Sequence, residues 1–292
     1  MNLSVAFRLG RISNLPTVWT NVLTGAVLAT GAAAGLDGKV PLLLVALSLF
    51  YIGGMFLNDA FDSQFDAKLR PGRPIPSGQV TSKEVFVYGF AMIGLGLLLL
   101  SWTGHGIQPE TGWRPLGAGV GLAGAIVFYN WHHKNNPLGP VVMGLCRMLV
   151  YLCAAFALQS VLPGRVYVAA LVLLCYLIGL TYAAKQEHLA RIGSVWPLAF
   201  LAVPLGFGIY LSMEQKEAWL PWVAFAGCTG YALWRLWRRK AGDVPRGVVS
   251  LIAGISLLDA VFLASQGALW LSVLAVAAFA LTLALQGWVT GT

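Results

Sequence analysis

The amino-acid sequence predicts an all-helical, polytopic membrane bundle, and three observations carry that expectation. Of its 292 residues, 58% are hydrophobic and 10% charged, well below the roughly 25% charged residues of soluble domains. Apolar runs close to the roughly 20 residues that cross a bilayer as a helix recur along the whole chain. Arginine and lysine gather in alternate loops between those runs, as the positive-inside rule expects of cytoplasmic loops.

Taken in order, the runs give ten spans at 16–34, 39–58, 84–103, 115–131, 139–159, 166–184, 195–213, 218–237, 247–265 and 268–288. Arg8 and Arg11 precede the first. Lys68, Arg70, Arg73 and Lys83 follow the second, Lys134 the fourth, Lys185 and Arg191 the sixth, and Arg235, Arg238, Arg239, Lys240 and Arg246 the eighth. The opposite loops hold Lys39, Arg114, Arg165 and the Glu214, Lys216, Glu217 cluster. Topology therefore accounts for the net charge of +8, and no nucleic-acid partner is expected. No polar linker divides the chain, so residues 1–292 are expected to form one domain. Cys146, Cys153, Cys175 and Cys228 stand singly in apolar stretches and read as buried small hydrophobes rather than a disulfide framework. The start of the chain runs into a full-length span with no small-residue cleavage pattern, so no cleavable signal is expected.

Charge concentrates after the second span, where residues 58–78 read NDAFDSQFDAKLRPGRPIPSG. Asn58, Asp62, Asp66 and Arg70 recur every four residues, so a continuous helix would show them as one stripe, with Asp59 three residues before Asp62. Three carboxylates on one face repel unless a cation sits among them. Pro71, Pro74 and Pro76 then stop the helix, and the loop turns Arg70 and Arg73 back towards the acids. Mg²⁺ takes one or two carboxylates and completes its shell with water and phosphate oxygens, while arginine forks bind phosphate in bidentate fashion. The bland alternative is a solvated acidic collar. The longer pattern favours a diphosphate site at the cytoplasmic mouth of an apolar bundle.

NDxxDxxxDxxxRPxRPIPSG at Asn58–Gly78 resembles the first aspartate-rich signature of the UbiA superfamily of intramembrane prenyltransferases. RISNLPTVWTNVLTG, with Arg11, Pro16 and Asn21, is similar to that family's first helix, and YNWHHKNNPLGPVVMGLCR at Tyr129–Arg147 to its loop and helix after span four. The resemblance implies nine transmembrane helices with cytoplasmic cap loops, so residues 268–288 form a further, tenth segment. It also implies Mg²⁺-dependent loss of diphosphate from an allylic donor and attack on the carbocation by a small aromatic or hydroxyl-bearing acceptor. On this reading Asn58, Asp62 and Asp66 are the catalytic set. Asn58, Asp59, Asp62, Asp66 and Glu187 hold metal, and Arg70, Arg73, Lys134, Lys185 and Arg191 bind diphosphate. Arg11, Asn21, Tyr129 and Arg147 contact substrate. The donor is an isoprenyl diphosphate, and the expected location is a bacterial cytoplasmic membrane.

The chain departs from the family after span six, where TYAAKQEHLARIGSVWP at Thr181–Pro197 contains no aspartate. Either Glu187 is a ligand and Lys185 and Arg191 replace a missing metal's charge, or this is an ordinary basic loop. Asp259 lies deep in the ninth span and Arg147 within the fifth. Ionisable groups at such depth are costly and mark either a functional cavity or a buried polar pair. Tyr51, Phe61, Tyr129 and Trp131 lie close to the polar caps, where aromatic faces attract a carbocation without offering a nucleophile, although interfacial belts enrich the same residues. His132 and His133 read as interfacial polar residues more readily than as proton carriers. Beside the transferase reading stands a non-catalytic protein of the same fold that binds or carries isoprenoid diphosphate.

Overall fold

The computed structural model describes residues 1–31, 38–107, 111–134, 136–185 and 196–288. Among the described residues all regular structure is helical. The short helix α1 (Leu3–Leu9) is capped by Asn2, whose side chain accepts the Val5 N–H at 2.9 Å. The chain then turns at Arg11, which holds the left-handed conformation at φ 42°, uncommon for a residue with a Cβ. Helix α2 (Leu15–Thr30) carries Pro16 in its first turn, where the missing N–H costs nothing. The long helices that follow are α3 (Lys39–Phe61), α5 (Ser82–Trp102), α6 (Arg114–His132), α7 (Gly139–Leu158) and α8 (Gly164–Lys185). After them come α9 (Ala202–Glu214), entered through a 3₁₀ turn at Trp196–Leu201, then α10 (Trp219–Arg238), α11 (Asp243–Ser265) and α12 (Leu269–Gln286). The seven-residue helix α4 (Ser63–Leu69) lies between α3 and α5.

Within the described residues each of the ten expected spans falls on one of these helices, while residues 32–34 of the first span and 195 of the seventh lie outside the described residues. Among the described residues, seven helices are long and apolar enough to cross a membrane: Lys39–Phe61, Ser82–Gly106, Gly139–Leu158, Gly164–Lys185, Trp196–Glu214, Asp243–Ser265 and Leu269–Gln286. The other three expected spans lie on α2, α6 and α10. Helix α2 has 16 residues, while α6 includes Arg114, Asn130 and His132 and α10 includes Arg235 and Arg238, which lower their hydropathy.

Burial separates inner from outer helices. Helix α11 is the central one, with 89% of its apolar window buried, against 28% for Ser82–Gly106 and 22% for α12. Leu98, Trp102, Val273 and Leu281 on these outer helices are exposed, as surfaces meeting lipid tails are. Glycines let the inner helices approach closely. A Cβ on Gly25 of α2 would come within 2.7 Å of the Tyr151 carbonyl oxygen on α7, and one on Gly53 of α3 within 2.8 Å of the Gly89 oxygen on α5. Small residues at such crossings are how membrane helices gain van der Waals contact.

One expectation is corrected here. The sequence spacing places Asn58 to Arg70 on a single helical stripe, whereas α3 ends at Phe61 and α4 begins at Ser63. Backbone bonds still bridge the junction, from Asp62 N–H to Asn58 O (3.0 Å) and from Asp66 N–H to Asp62 O (2.9 Å). The helix is therefore interrupted at Asp62, whose side chain takes its partners, His133 and Lys134, from the segment just past the end of α6.

Candidate active site

The polar mouth is assembled from four segments: the Arg11 turn, the end of α3, helix α4 with its following loop, and the end of α6. Arg11 Nη2 donates to Asn58 Oδ1 at 3.2 Å and to Asp59 Oδ1 at 3.3 Å. Arg73 Nη1 donates to the same Asp59 oxygen at 3.1 Å and to Asp66 Oδ2 at 2.9 Å. The loop that returns Arg73 is held by its own backbone, with Ser77 N–H bonded to Arg73 O and Gln79 N–H to Pro74 O, both at 3.0 Å. Gly78 takes φ 76°, a turn a side chain would strain, and Ile75 packs with Val5, Phe56 and Val85. Arg8 bonds Gln79 and ties α1 to the end of this loop.

Asp62 faces the other way. Lys134 Nζ lies 2.7 Å from its Oδ1 and His133 Nε2 3.5 Å from its Oδ2. Burial raises the Asp62 carboxyl, but the bonds from His133 and Lys134 outweigh it and hold the group below its ordinary value. Arg11 shows the reverse balance. Burial works against its charge, yet the Asp59 carboxylate first, and then the Tyr51 and Tyr129 phenol groups, keep the guanidinium above its ordinary value. Asn58 donates to Asn130 Oδ1 at 3.0 Å, and Asn130 donates to Gly54 O at the same distance. That link fixes α3 to α6 below the mouth.

No group of three or more His, Cys, Asp or Glu side chains placed to hold a metal occurs among the described residues. The donor set still fits Mg²⁺, which needs only one or two carboxylates beside water and phosphate oxygens. Asp59 and Asp66 converge on one point, the Arg73 nitrogen, and Asn58 sits beside them through Arg11. Asp62 is set apart with Lys134. Glu187 and Arg191 lie outside the described residues. Lys185, expected on diphosphate, instead donates to the His133 and Asn136 carbonyl oxygens at 3.1 and 2.8 Å, because α8 ends against the loop after α6.

Beneath the mouth lies an apolar cavity of about 250 Å³, whose lining includes Arg11, Phe50, Tyr51, Ile126, Tyr129 and Arg147. A polar opening of about 290 Å³ lined by Arg8, Arg11, Asp59, Arg70, Gly72, Arg73 and Pro74 adjoins it, and Arg11 borders both. Tyr51 donates to Arg11 O at 3.2 Å, and the Tyr129 ring stacks on His133 with centroids 5.0 Å apart. The other two aromatic candidates lie elsewhere: Trp131 is 71% exposed, and Phe61 packs edge-on against Phe86.

Arg147 lines the cavity and sits 5.6 Å from the Tyr51 ring centroid. Its Nη1 donates to Asn21 Oδ1 at 2.9 Å and its Nη2 to Thr17 Oγ1 at 3.0 Å. Asn21, expected to contact substrate, is fully buried and passes its amide on to Asp259 Oδ2 at 2.8 Å. It does not line the cavity, because it spends both ends of its amide between Arg147 and Asp259. Tyr151 also donates to Asp259, so the intramembrane acid has a buried polar partner on each of two neighbouring helices. Asn14 and Asn130 line the cavity without having been singled out in the sequence. Polar residues in otherwise apolar segments were the signal.

Residues 17–246 match the model of the UbiA prenyltransferase family. The chain belongs to this family. Among its relatives, the digeranylgeranylglyceryl phosphate synthase of Methanopyrus kandleri is 30% identical over 194 residues, covering 66% of this chain and 58% of that protein. The synthase of that name from Pyrococcus horikoshii is 37% identical over 90 residues, covering 28% and 32% respectively. The chain thus matches less than two thirds of the length of these relatives. A solved structure of a digeranylgeranylglyceryl phosphate synthase in membranes superposes with a TM-score of 0.64 at 18% identity, covering 91% of this chain and 99% of that one. This UbiA chain and that protein therefore share a fold. The family match begins in α2 and ends inside α11, so most of α11 and all of α12 lie beyond it.

Proposed function

We propose that the protein is an intramembrane prenyltransferase of one domain, residues 1–292, which moves the prenyl group of an isoprenyl diphosphate onto a small hydroxyl-bearing or aromatic acceptor. The observation that supports this reading is the pairing of an arginine- and aspartate-lined opening with an apolar cavity, joined at Arg11. A prenyl diphosphate has the same two halves. Its tail enters the cavity, where burial of apolar surface contributes about 25 cal/mol per Å², and its head stays at the mouth on the cytoplasmic side.

Arg11 approaches the head from the turn before α2, and Arg70 and Arg73 from the loop after α4, and guanidinium forks match phosphate oxygens. Asp59 and Asp66 supply the carboxylates for Mg²⁺, with the Asn58 amide beside them and Asp62 paired with Lys134 at the other edge. Bound there, Mg²⁺ supplies Lewis-acid stabilisation of the departing diphosphate. Charge developing on the leaving oxygens is met by donors already in place, so little reorganisation is needed. The faces of Tyr51 and Tyr129 lie along the route from mouth to cavity and steady the allylic cation, while the apolar walls exclude water that would capture it. The acceptor's oxygen or ring carbon closes the new bond and gives up its proton. Arg147 in the cavity wall suits an acceptor carrying phosphate or carboxylate, and the names of the relatives, synthases of a glyceryl phosphate lipid, favour the phosphate.

The test is a transfer assay with the purified protein, labelled geranylgeranyl diphosphate, and geranylgeranylglyceryl phosphate or 4-hydroxybenzoate as acceptor, with and without Mg²⁺. Prenylated acceptor formed only with the metal supports the reading. The division of the acids between Arg73 and Lys134 favours a second possibility, a non-catalytic binder of isoprenoid diphosphate. Mg²⁺-dependent donor binding with neither product nor released diphosphate selects it.

A further inference from the structure

A polar chain runs through the membrane-embedded core, from Tyr151 to Asp259, to Asn21, to Arg147 and to Thr17. It joins three helices, α2, α7 and α11, and only Arg147 among these five side chains lines the cavity. We infer that Asp259 and Asn21 are positioning residues that hold one edge of the Arg147 guanidinium against α2, leave its remaining N–H groups to the cavity, and so set selectivity for an acceptor with an anionic group. This rests on the reading of Arg147 as the acceptor's anchor.

The hydrogen bonds fix the direction of the chain. Arginine only donates. The Asn21 amide must therefore turn its oxygen to Arg147, which sends its nitrogen to Asp259, the orientation observed. Thr17 closes the other side, since its hydroxyl accepts from Arg147 and donates to Asn14 O at 2.7 Å. Two of the five guanidinium N–H groups are thereby spent on α2. An arginine so held loses little freedom on meeting a phosphate or carboxylate, and a low-polarity cavity strengthens that contact. Asp259 is fully buried and bonds the Asn21 amide, so it acts on the ligand by holding Asn21 in place.

Binding of geranylgeranyl diphosphate, geranylgeranylglyceryl phosphate and the uncharged geranylgeranylglycerol is measured for each variant in nanodiscs. Asp259→Asn, with its oxygen kept by the Tyr151 hydroxyl, turns an amide N–H₂ to the Asn21 N–H₂, and the two facing donors loosen Asn21 from Arg147. The preference for the phosphate over the alcohol is expected to fall about tenfold, with donor binding within twofold of wild type. The exchange N21D/D259N rebuilds the chain. A carboxylate at position 21 accepts from both Arg147 and the new amide at position 259, whose oxygen still accepts from Tyr151, and the preference is expected to return. Thr17→Val provides a milder loss of the same kind should Asp259→Asn not fold. An unchanged preference in Asp259→Asn and Thr17→Val, an equal loss of donor and acceptor binding, or no recovery in the exchanged pair overturns the inference. Normal binding patterns without transfer product would count against the transferase reading alone, and wild-type protein that binds donor but never prefers the phosphate would overturn the anchor role of Arg147 itself.

Discussion

Arg73 Nη1 stands 3.1 Å from Asp59 and 2.9 Å from Asp66, so one arginine nitrogen fills the point where carboxylates from α3 and α4 converge. Both acids are buried, at 6% and 2% exposure, and removing a partner from a buried pair leaves an uncompensated charge. On the proposed reading Arg73 offsets the repulsion between the two acids and is placed to donate to the diphosphate oxygens. Arg73→Ala is expected to lower turnover by about 10²–10³, the cost of losing one preplaced donor. Arg73→Lys is expected to recover only part, because an ammonium lacks the fork. Rates at saturating donor across a Mg²⁺ titration check this, and wild-type rates in Arg73→Ala would remove Arg73 from the mechanism.

Asp62 gives a pH prediction. Its folded value lies below its ordinary value, so its ionised form contributes stability at neutral pH, and that contribution is lost as pH falls through the folded value. Lys134→Met removes the donor at 2.7 Å and brings the Asp62 value back up. Because the lysine side chain is 35% exposed, solvent screening keeps the loss at pH 7 to about 1 kcal/mol or less. Thermal unfolding in detergent between pH 3 and pH 7 should show wild type the more stable at pH 7 and the gap to the variant closing as pH falls, the variant's profile being the flatter. Superimposable profiles would mean that the pair contributes nothing.

Much of this arrangement was legible in the sequence. The apolar runs marked the helices, and the dense polar pattern at Asn58–Gly78 marked the mouth, because uncompensated charge beside lipid is too costly to be accidental. Arg73 was traceable through the prolines that reverse the chain. The separation of Asp62 from Asp59 and Asp66 was not, since it depends on an interruption of the helix at one residue and on the arrival of Lys134 from the distant loop after α6. Nor could spacing show that Asn21 serves Arg147 and Asp259 rather than the cavity. A helical register tells which residues share a face, but the identity of the neighbouring helix is a tertiary fact.

Tyr129 lines the cavity and is stacked on His133, so its face, rather than its hydroxyl, is the feature proposed to act. Tyr129→Phe is expected to keep turnover within about threefold, whereas Tyr129→Leu, of similar apolarity without the quadrupole, should lose about tenfold, from a cation–π contribution of about 1–2 kcal/mol. Comparing the two variants in product formation and in donor binding separates the roles. Equal losses in both would assign the effect to the hydroxyl or to packing.

Gly25 is where the acceptor end of the site meets the stability of the bundle. A Cβ there comes within 2.7 Å of the Tyr151 carbonyl oxygen and 3.0 Å of its Cα, and backbone atoms of a helix have no rotamer through which to yield. Gly25→Ala must therefore push α2 away from α7, at about 1–3 kcal/mol for overpacking. The Arg147–Asn21 bond crosses that interface, so preference for an anionic acceptor should fall with stability. Gly227→Ala on α10, whose Cβ meets nothing within 4 Å, is the control and is expected to leave the melting temperature unchanged or slightly higher, alanine being the better helix former by about 1 kcal/mol. Melting temperatures of the two variants in one detergent decide the matter, and a Gly25→Ala protein as stable as Gly227→Ala would show that α2 and α7 do not depend on this close approach.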